Sequence, residues 1–203
     1  MDWTELVARR KMVRDFMPDP VDRDVLDRML DQARRVPSAG FSQGIDFLVL
    51  ESPDTDRFWS HTLPASERAS FRWPGLLRAP VIVLPLADSG AYLERYSEAD
   101  KVSAGLGDDE RSWPVPYWFI DTGMAAMALL CSVVNEGLGA LFFGVFRNEE
   151  AMLRDLGVPV GLRPIGAIAI GHPTEKALGA GREGSPSRRA RRPLHDVVHY
   201  GRW

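Results

Sequence analysis

The sequence has one cysteine, four histidines and no strong excess of either charge. Cys131 alone rules out an internal disulfide, and with it the usual reason to expect an exported fold. His61, His172, His195 and His199 fall at no spacing suited to a metal, and Cys131 has no Cys or His near it in sequence. A net charge of −3, from 25 Lys and Arg against 28 Asp and Glu, argues against a nucleic-acid binder. There is no GxSxG elbow, no Walker loop and no GxGxxG after a strand; Gly137-Leu138-Gly139 is too weak a signal. Asp108, Asp109 and Glu110 read as a solvated loop tip rather than a catalytic pair. Hydrolytic and metal chemistry therefore have no visible seat. Residues 1–11 lack the apolar core of a signal peptide, so the cytoplasm is the expected location.

What the chain does have is a long apolar stretch at 120–146, IDTGMAAMALLCSVVNEGLGALFFGVF. Between Met124 and Val134 only Ser132 is polar, so a helix here is apolar around its whole circumference. At that length it is too short to span a bilayer and must be buried on every side. Asp121 is placed to cap its start, and Gly137 or Gly139 to stop it. ALFFGVF then reads as a strand. A 203-residue chain that also builds a cleft can hardly wrap such a helix alone. Part of it is expected to lie against a second copy of the chain.

The remaining elements follow from periodicity and breakers. Residues 2–10 read as a short helix, and 22–35 as an amphipathic one with Val25, Leu26, Met29, Leu30 and Ala33 at helical spacing. Residues 47–50 suggest a central strand, and 54–77 helix in pieces broken at Pro64 and Pro74. Residues 81–86 form a strand that Pro85 marks for an edge or exit. Asn148 caps a helix over 149–156, and 164–170 is the last strand. Residues 89–119 carry no sustained period and suggest a lid. A loop rich in Gly, Ser, Pro and Arg at 179–192 precedes an apolar terminus, LHDVVHYGRW, which suggests an arm docking on a partner. The whole is read as one domain over 1–203, with an excursion at 89–119 and an arm at 179–203.

Cations crowd both ends: Arg9, Arg10, Lys11 and Arg14 near the start, and Arg182, Arg188, Arg189, Arg191 and Arg192 near the finish. Two or three converging arginines can hold a phosphate through charge-assisted, bidentate bonds. From spacing alone they serve equally as a solvated helix end and a basic linker, which is the simpler reading.

Their order adds weight to the first reading. RKMVRDFMPDPV, PSAGFSQGIDFLVL, LRAPVIVL, the 121–139 helix, GALFFGVF, RPIGAIAIGHP and RARRPLHDVVHYGRW together resemble the FMN-dependent nitroreductase family from end to end. Against the family opening RRS-x-R-x-F, Arg10, Arg14 and Phe16 match, while Lys11 and Met12 replace Arg and Ser. Against PS-x-x-N-x-Q-P-W, Pro37, Ser38 and Gln43 are kept, with Ala39 between them. Phe41, Gly44 and Ile45 replace Asn, Pro and Trp. The family Asn bonds the flavin, a role that Phe41 does not inherit. GFSQ resembles a flavin-cleaving branch that makes the lower ligand of vitamin B12; that branch has an acidic residue where Lys11 and Met12 stand.

The resemblance implies an α+β, three-layer fold with a mostly antiparallel central sheet flanked by helices, and a C-terminal arm exchanged in a homodimer. FMN would sit at the subunit interface. Arg10, Arg189 and Arg191 would hold its phosphate, and Arg14 its pyrimidine edge. Lys11, Met12, Pro37, Ser38, Ala39, Phe41 and Gln43 would complete the contacts. Phe142 would lie against the ring, and the amides of Phe143, Gly144 and Val145 would face its redox nitrogen. Tyr96, Trp113, Tyr117 and Trp118 would line the substrate face, or else serve as lid packing. The implied reaction is ping-pong transfer from NADH or NADPH to a nitroaromatic, quinone or similar acceptor. Flavin cleavage, flavin sequestration and a flavin-free dimeric binding module are the competing readings, with a deazaflavin in place of either nucleotide as the cofactor alternative.

Overall fold

The computed structural model describes residues 1–179 and 188–203. Two helices come first: α1, Trp3–Arg9, capped by Asp2 Oδ1 accepting from the Glu5 amide, and α2, Arg23–Ala33, capped by Asp22. Then follow β1 (Ile45–Glu51), α3 (Thr55–Thr62), α4 (Ala65–Arg68), β2 (Val81–Asp88) and α5 (Ser89–Ser97). The long helix α6, Tyr117–Asn135, leads into β3, Gly139–Phe143. The chain continues through α7 (Glu149–Asp155), β4 (Leu162–Pro164), β5 (Ala167–Gly171) and α8 (Glu175–Gly179). Among the described residues every strand pairing is antiparallel, in the order β1-β2-β5-β3, with β4 also against β2.

Strand alternation produces the three layers. Ile82, Leu84 and Leu86 of β2 face a core with Phe58, Trp59 and Met152 of α3 and α7. Val81 and Val83 face the opposite core with Leu26, Met29, Leu129 and Val133 of α2 and α6. On β5, Ala167 and Ala169 point one way and Ile168 and Ile170 the other. The α+β sheet-and-helix architecture expected from the sequence is the one found.

Several local expectations are corrected. Residues 45–51 form the edge of the sheet, whereas β2 is central despite Pro85. On one flank β2 pairs with β1 throughout; on the other it pairs with β5 at 81–83 and β4 at 86–88. Pro85 falls in the gap between those two partners, where its carbonyl accepts from Ile165 and its missing N–H leaves no ladder bond unmade. The expected strand at 164–170 is split at the same place. Gly166, with φ +143°, comes so near the Phe143 carbonyl that a Cβ would sit 2.6 Å from its oxygen.

Residues 89–119 contain α5 and two short 3₁₀ turns, and they pack a third core around Tyr92, Trp113 and Trp118. Helix α6 begins at Tyr117, so Asp121 is an interior residue and not its cap. Its 19 residues are long and apolar enough to cross a membrane by length and composition, so shortness does not decide its placement. What does is its packing: Asp121, Thr122 and Ser132 are buried against protein, and Ser132 Oγ donates to Gln32 Oε1 at 2.6 Å. Nor is α6 buried on every side. Tyr117, Ile120, Met124 and Met127 form an exposed apolar stripe, spaced 3, 4 and 3 residues apart.

Candidate functional site

Two stretches singled out in the sequence lie at the two ends of α6. At its C-terminal end lies the strip that follows α1. Arg10 closes α1, and the chain then runs extended beside β3. Met12 bridges Ala140 in parallel, and the Val13 amide donates to the Ala140 carbonyl at 2.9 Å. Val13 and Phe16 turn into the core, and Phe16 bridges Pro173. Arg10 Nη1 is buried without any hydrogen-bond partner. A buried charged donor left unpaired costs about 1–3 kcal/mol or more, so the guanidinium is placed for an anion. Its charge is felt by Cys131 on α6: burial pushes that thiol up, and Arg10 opposes the shift.

The neighbouring cations are used differently. Lys11 Nζ donates to the carbonyls of Ala177 and Leu178 at the end of α8, at 2.6 and 2.9 Å. Arg14 donates to the Met12 carbonyl at 3.2 Å, and its guanidinium lies 5.4 Å from the centre of the Trp73 ring. Arg72, which sequence reading passed over, lies 5.1 Å from the same ring. Only the Arg72-Trp73 adjacency hinted at it, since the contact with Arg14 depends on 14–16 running beside the 74–78 turn.

At the N-terminal end of α6 lies the loop 37–43. The buried Asp121 carboxylate holds it: Oδ2 accepts from the Ala39 amide at 2.8 Å and from the Tyr92 hydroxyl at 2.7 Å. Burial, then this hydrogen bond and the charge of Asp121, push the Tyr92 phenol far above its ordinary value of 10.0. Arg95 Nε donates to the Gly40 carbonyl at 2.9 Å, and its other nitrogens brace Glu98 and Asp100. The Asp100 carboxyl is held down to about 2 by those bonds. The Gln43 amide donates to Ser38 Oγ, and Ser42 Oγ donates to the Ala39 carbonyl. Gly40, Phe41 and Gln43 all have left-handed backbones, with φ of +62°, +59° and +53°. For a side chain as bulky as Phe this costs about 1–2 kcal/mol and persists only where the surroundings dictate it. Pro37, Phe41 and Gln43 are exposed, while Ser38 and Ala39 are half-buried.

Beyond β3 the chain offers Gly144 exposed between two half-buried neighbours, Phe143 and Val145. Phe143 stacks on Trp59 at 5.9 Å, and Phe142 packs with the α2–α6 core. Of the four aromatics proposed for a substrate face, Trp113 and Trp118 are buried around Tyr92, Tyr96 is half-buried, and Tyr117 is open. Arg189 and Arg191 are exposed. Arg182 lies outside the described residues. The strip at 10–14 and the loop at 37–43 do not meet within one chain. Asp121 and Cys131, which mark them, are ten residues apart on α6, or about 15 Å at the helical rise.

The family model for the nitroreductase family matches residues 7–172, most of the chain and both of these stretches. The chain belongs to the nitroreductase family. An NADH dehydrogenase of Thermus thermophilus is 28% identical, the alignment covering 98% of this chain and 95% of that protein. Among solved structures, the nitroreductase CinD of Lactococcus lactis, in complex with 4-nitrophenol, matches with a TM-score of 0.75 at 16% identity over 98% of each chain. A protein of Desulfovibrio desulfuricans in complex with FMN matches with a TM-score of 0.66 at 24% identity, over 96% of this chain and 94% of that one.

Nitroreductase family membership makes the chain an NAD(P)H-dependent oxidoreductase with FMN as its cofactor. Its own residues fit that group. Arg10 offers a buried donor with no acceptor, which a phosphate supplies, and Arg14 is a second cation on the same strip.

Proposed function

We propose that the chain works as a cytoplasmic homodimer that reduces quinones, nitroaromatics or similar conjugated acceptors with NADH or NADPH. Each of its two sites takes the Arg10 strip and the end of β3 from one copy and the 37–43 loop from the other. The observation that carries this reading is the buried, unpartnered Arg10 Nη1, half of a site whose other half lies at the far end of α6. The exposed stripe of Tyr117, Ile120, Met124 and Met127 supplies the means of joining them. A two-fold axis near residue 126, at the C-terminal end of that stripe, sets two α6 helices antiparallel, so that the Asp121 end of one copy lies by the Cys131 end of its partner. Helix α1, which packs on α6 and buries none of its own residues, leaves Trp3 68% exposed.

When bound, FMN supplies acceptance of a hydride from reduced nicotinamide and its return to a second substrate. The chain's part is electrostatic and positional. Arg10, with Arg189 and Arg191 of the arm, holds the phosphate, and Arg14 sets a cation at the pyrimidine edge, where negative charge grows on reduction. Lys11, Met12, Pro37, Ser38, Ala39, Gln43, Phe142, Phe143 and Gly144 complete the enclosure. Donor and acceptor occupy one cleft in turn, which gives ping-pong kinetics. The aromatic ligand of CinD supports this acceptor class.

The test is a spectrum and a turnover assay on the purified protein. A yellow protein that releases FMN on denaturation and oxidises NAD(P)H with menadione, giving parallel double-reciprocal lines, is expected. A colourless protein that takes up no added FMN overturns the reading.

A further inference from the structure

The departure of this chain at Phe41 carries an inference of its own. The 37–43 loop is tied down from four directions: Asp121 to the Ala39 amide, Arg95 to the Gly40 carbonyl, Gln43 to Ser38, and Tyr96 beneath Gly40, where a Cβ would lie 2.7 Å from the ring. A loop so heavily fixed around left-handed residues marks a functional position more often than a packing one. What it holds out is not a polar group. Phe41 is 71% exposed, and its ring stacks on no other aromatic among the described residues. Tyr117 and Ile120, also exposed, lie on α6 within one turn of the Asp121 anchor.

We infer that Phe41 is the specificity-determining residue of the acceptor site, its ring stacking on a neutral, planar aromatic acceptor. The inference rests on the function proposed above and deepens it. The groups that recognise charge, Arg10 and Arg14, lie on the other strip, whereas Phe41 offers only an apolar π face. Selectivity at this loop therefore comes from ring overlap, and a charged, non-aromatic acceptor gains nothing from it.

The experiment compares menadione with ferricyanide as acceptors at fixed NAD(P)H, using Phe41→Leu, which keeps apolar bulk without a ring, and Phe41→Tyr, which keeps the ring. Phe41→Leu raises KM for menadione roughly three- to tenfold and leaves KM for ferricyanide in place; Phe41→Tyr restores the wild-type value. Binding of 2-naphthol, an unreacting ring, weakens by the same factor in a fluorescence titration. Equal shifts for both acceptors, or none, overturn the inference. It is likewise overturned if Phe41→Leu elutes as a monomer, which would make the ring packing between copies, or loses its flavin absorbance, which would assign the ring to the cofactor. Wild-type protein without flavin or turnover would instead sink the underlying function, so the two failures are told apart by the wild type alone.

Discussion

The two ends of α6 are held by different physics. At the N-terminal end a buried carboxylate, Asp121, collects hydrogen bonds from Tyr92 and the Ala39 amide and locks a strained loop against the helix. At the C-terminal end Leu129 and Val133 pack in an apolar core, Ser132 donates to Gln32, and the buried Arg10 Nη1 beside them has no partner. The Asp121 carboxylate is satisfied within a single chain, whereas the Arg10 guanidinium leaves a buried donor unpaired. Buried polar groups are costly unless satisfied, so the difference separates a structural anchor from a binding element without reference to any relative.

The sharpest way to break that contrast is to keep the two ends from meeting. Replacing Met124 and Met127 together with Asp charges the exposed stripe around the proposed two-fold axis. Because both side chains are already open to solvent, the monomer loses under about 1 kcal/mol per site. The pairing of two apolar stripes is lost altogether. Sedimentation should show a dimer becoming a monomer with an unchanged far-ultraviolet spectrum, and bound flavin falling with it. A variant that stays dimeric would place the interface elsewhere and leave the two half-sites unjoined.

A smaller effect is expected at the C-terminal end alone. Arg10→Ala removes the unpaired guanidinium, and a charge-assisted bond to phosphate is worth about 1.5–3 kcal/mol, or roughly a 10- to 100-fold rise in the Kd for FMN. Fluorescence quenching of free FMN reads this directly. Thermal stability should hold or rise slightly, because the unsatisfied donor leaves with the side chain. Unchanged affinity would move phosphate binding to the arm.

The two ends also differ in how far the sequence revealed them. Arg10, Arg14 and Phe16 were readable because their spacing is local and a strip laid along a strand keeps its order. The strands at 81–88 and 139–143 were legible from apolar runs, since burial on both faces removes polar residues, and the half-buried strand at 45–51 showed only through its apolar run at 47–50. The anchor was not. Asp121 looked like a cap because nothing in a linear sequence says that Tyr92, 29 residues away, will lie across from it. Helix α5 escaped notice for a related reason: it is nine residues long and buries only Ser89 and Tyr92, too few to show a period. Pro85 misled because its tolerance depends on a gap between two partner strands. The left-handed Phe41 and Gln43 carry none of the usual Gly or Asn signal.

The anchor itself allows the finest measurement. Tyr92→Phe deletes one of the two donors to Asp121 Oδ2 and should cost about 1–2 kcal/mol in urea unfolding near neutral pH. A second signature comes from titration. The folded phenol is held far above its ordinary 10.0, first by burial and then by Asp121, whereas the unfolded phenol ionises near 10.0. Below that value both states keep the proton and pH has no effect through this group. Above it the unfolded state releases a proton that the folded state retains, so unfolding becomes more favourable by about 1.4 kcal/mol per pH unit. Wild type should therefore lose more stability between pH 9 and pH 11 than Tyr92→Phe does. Lysines and exposed tyrosines titrate alike in both proteins, so the difference between their slopes isolates Tyr92. Equal slopes would mean that the folded phenol gives up its proton as readily as the unfolded one. The N-terminal end of α6 would then be no better sealed than the C-terminal end, and the contrast between them would fail.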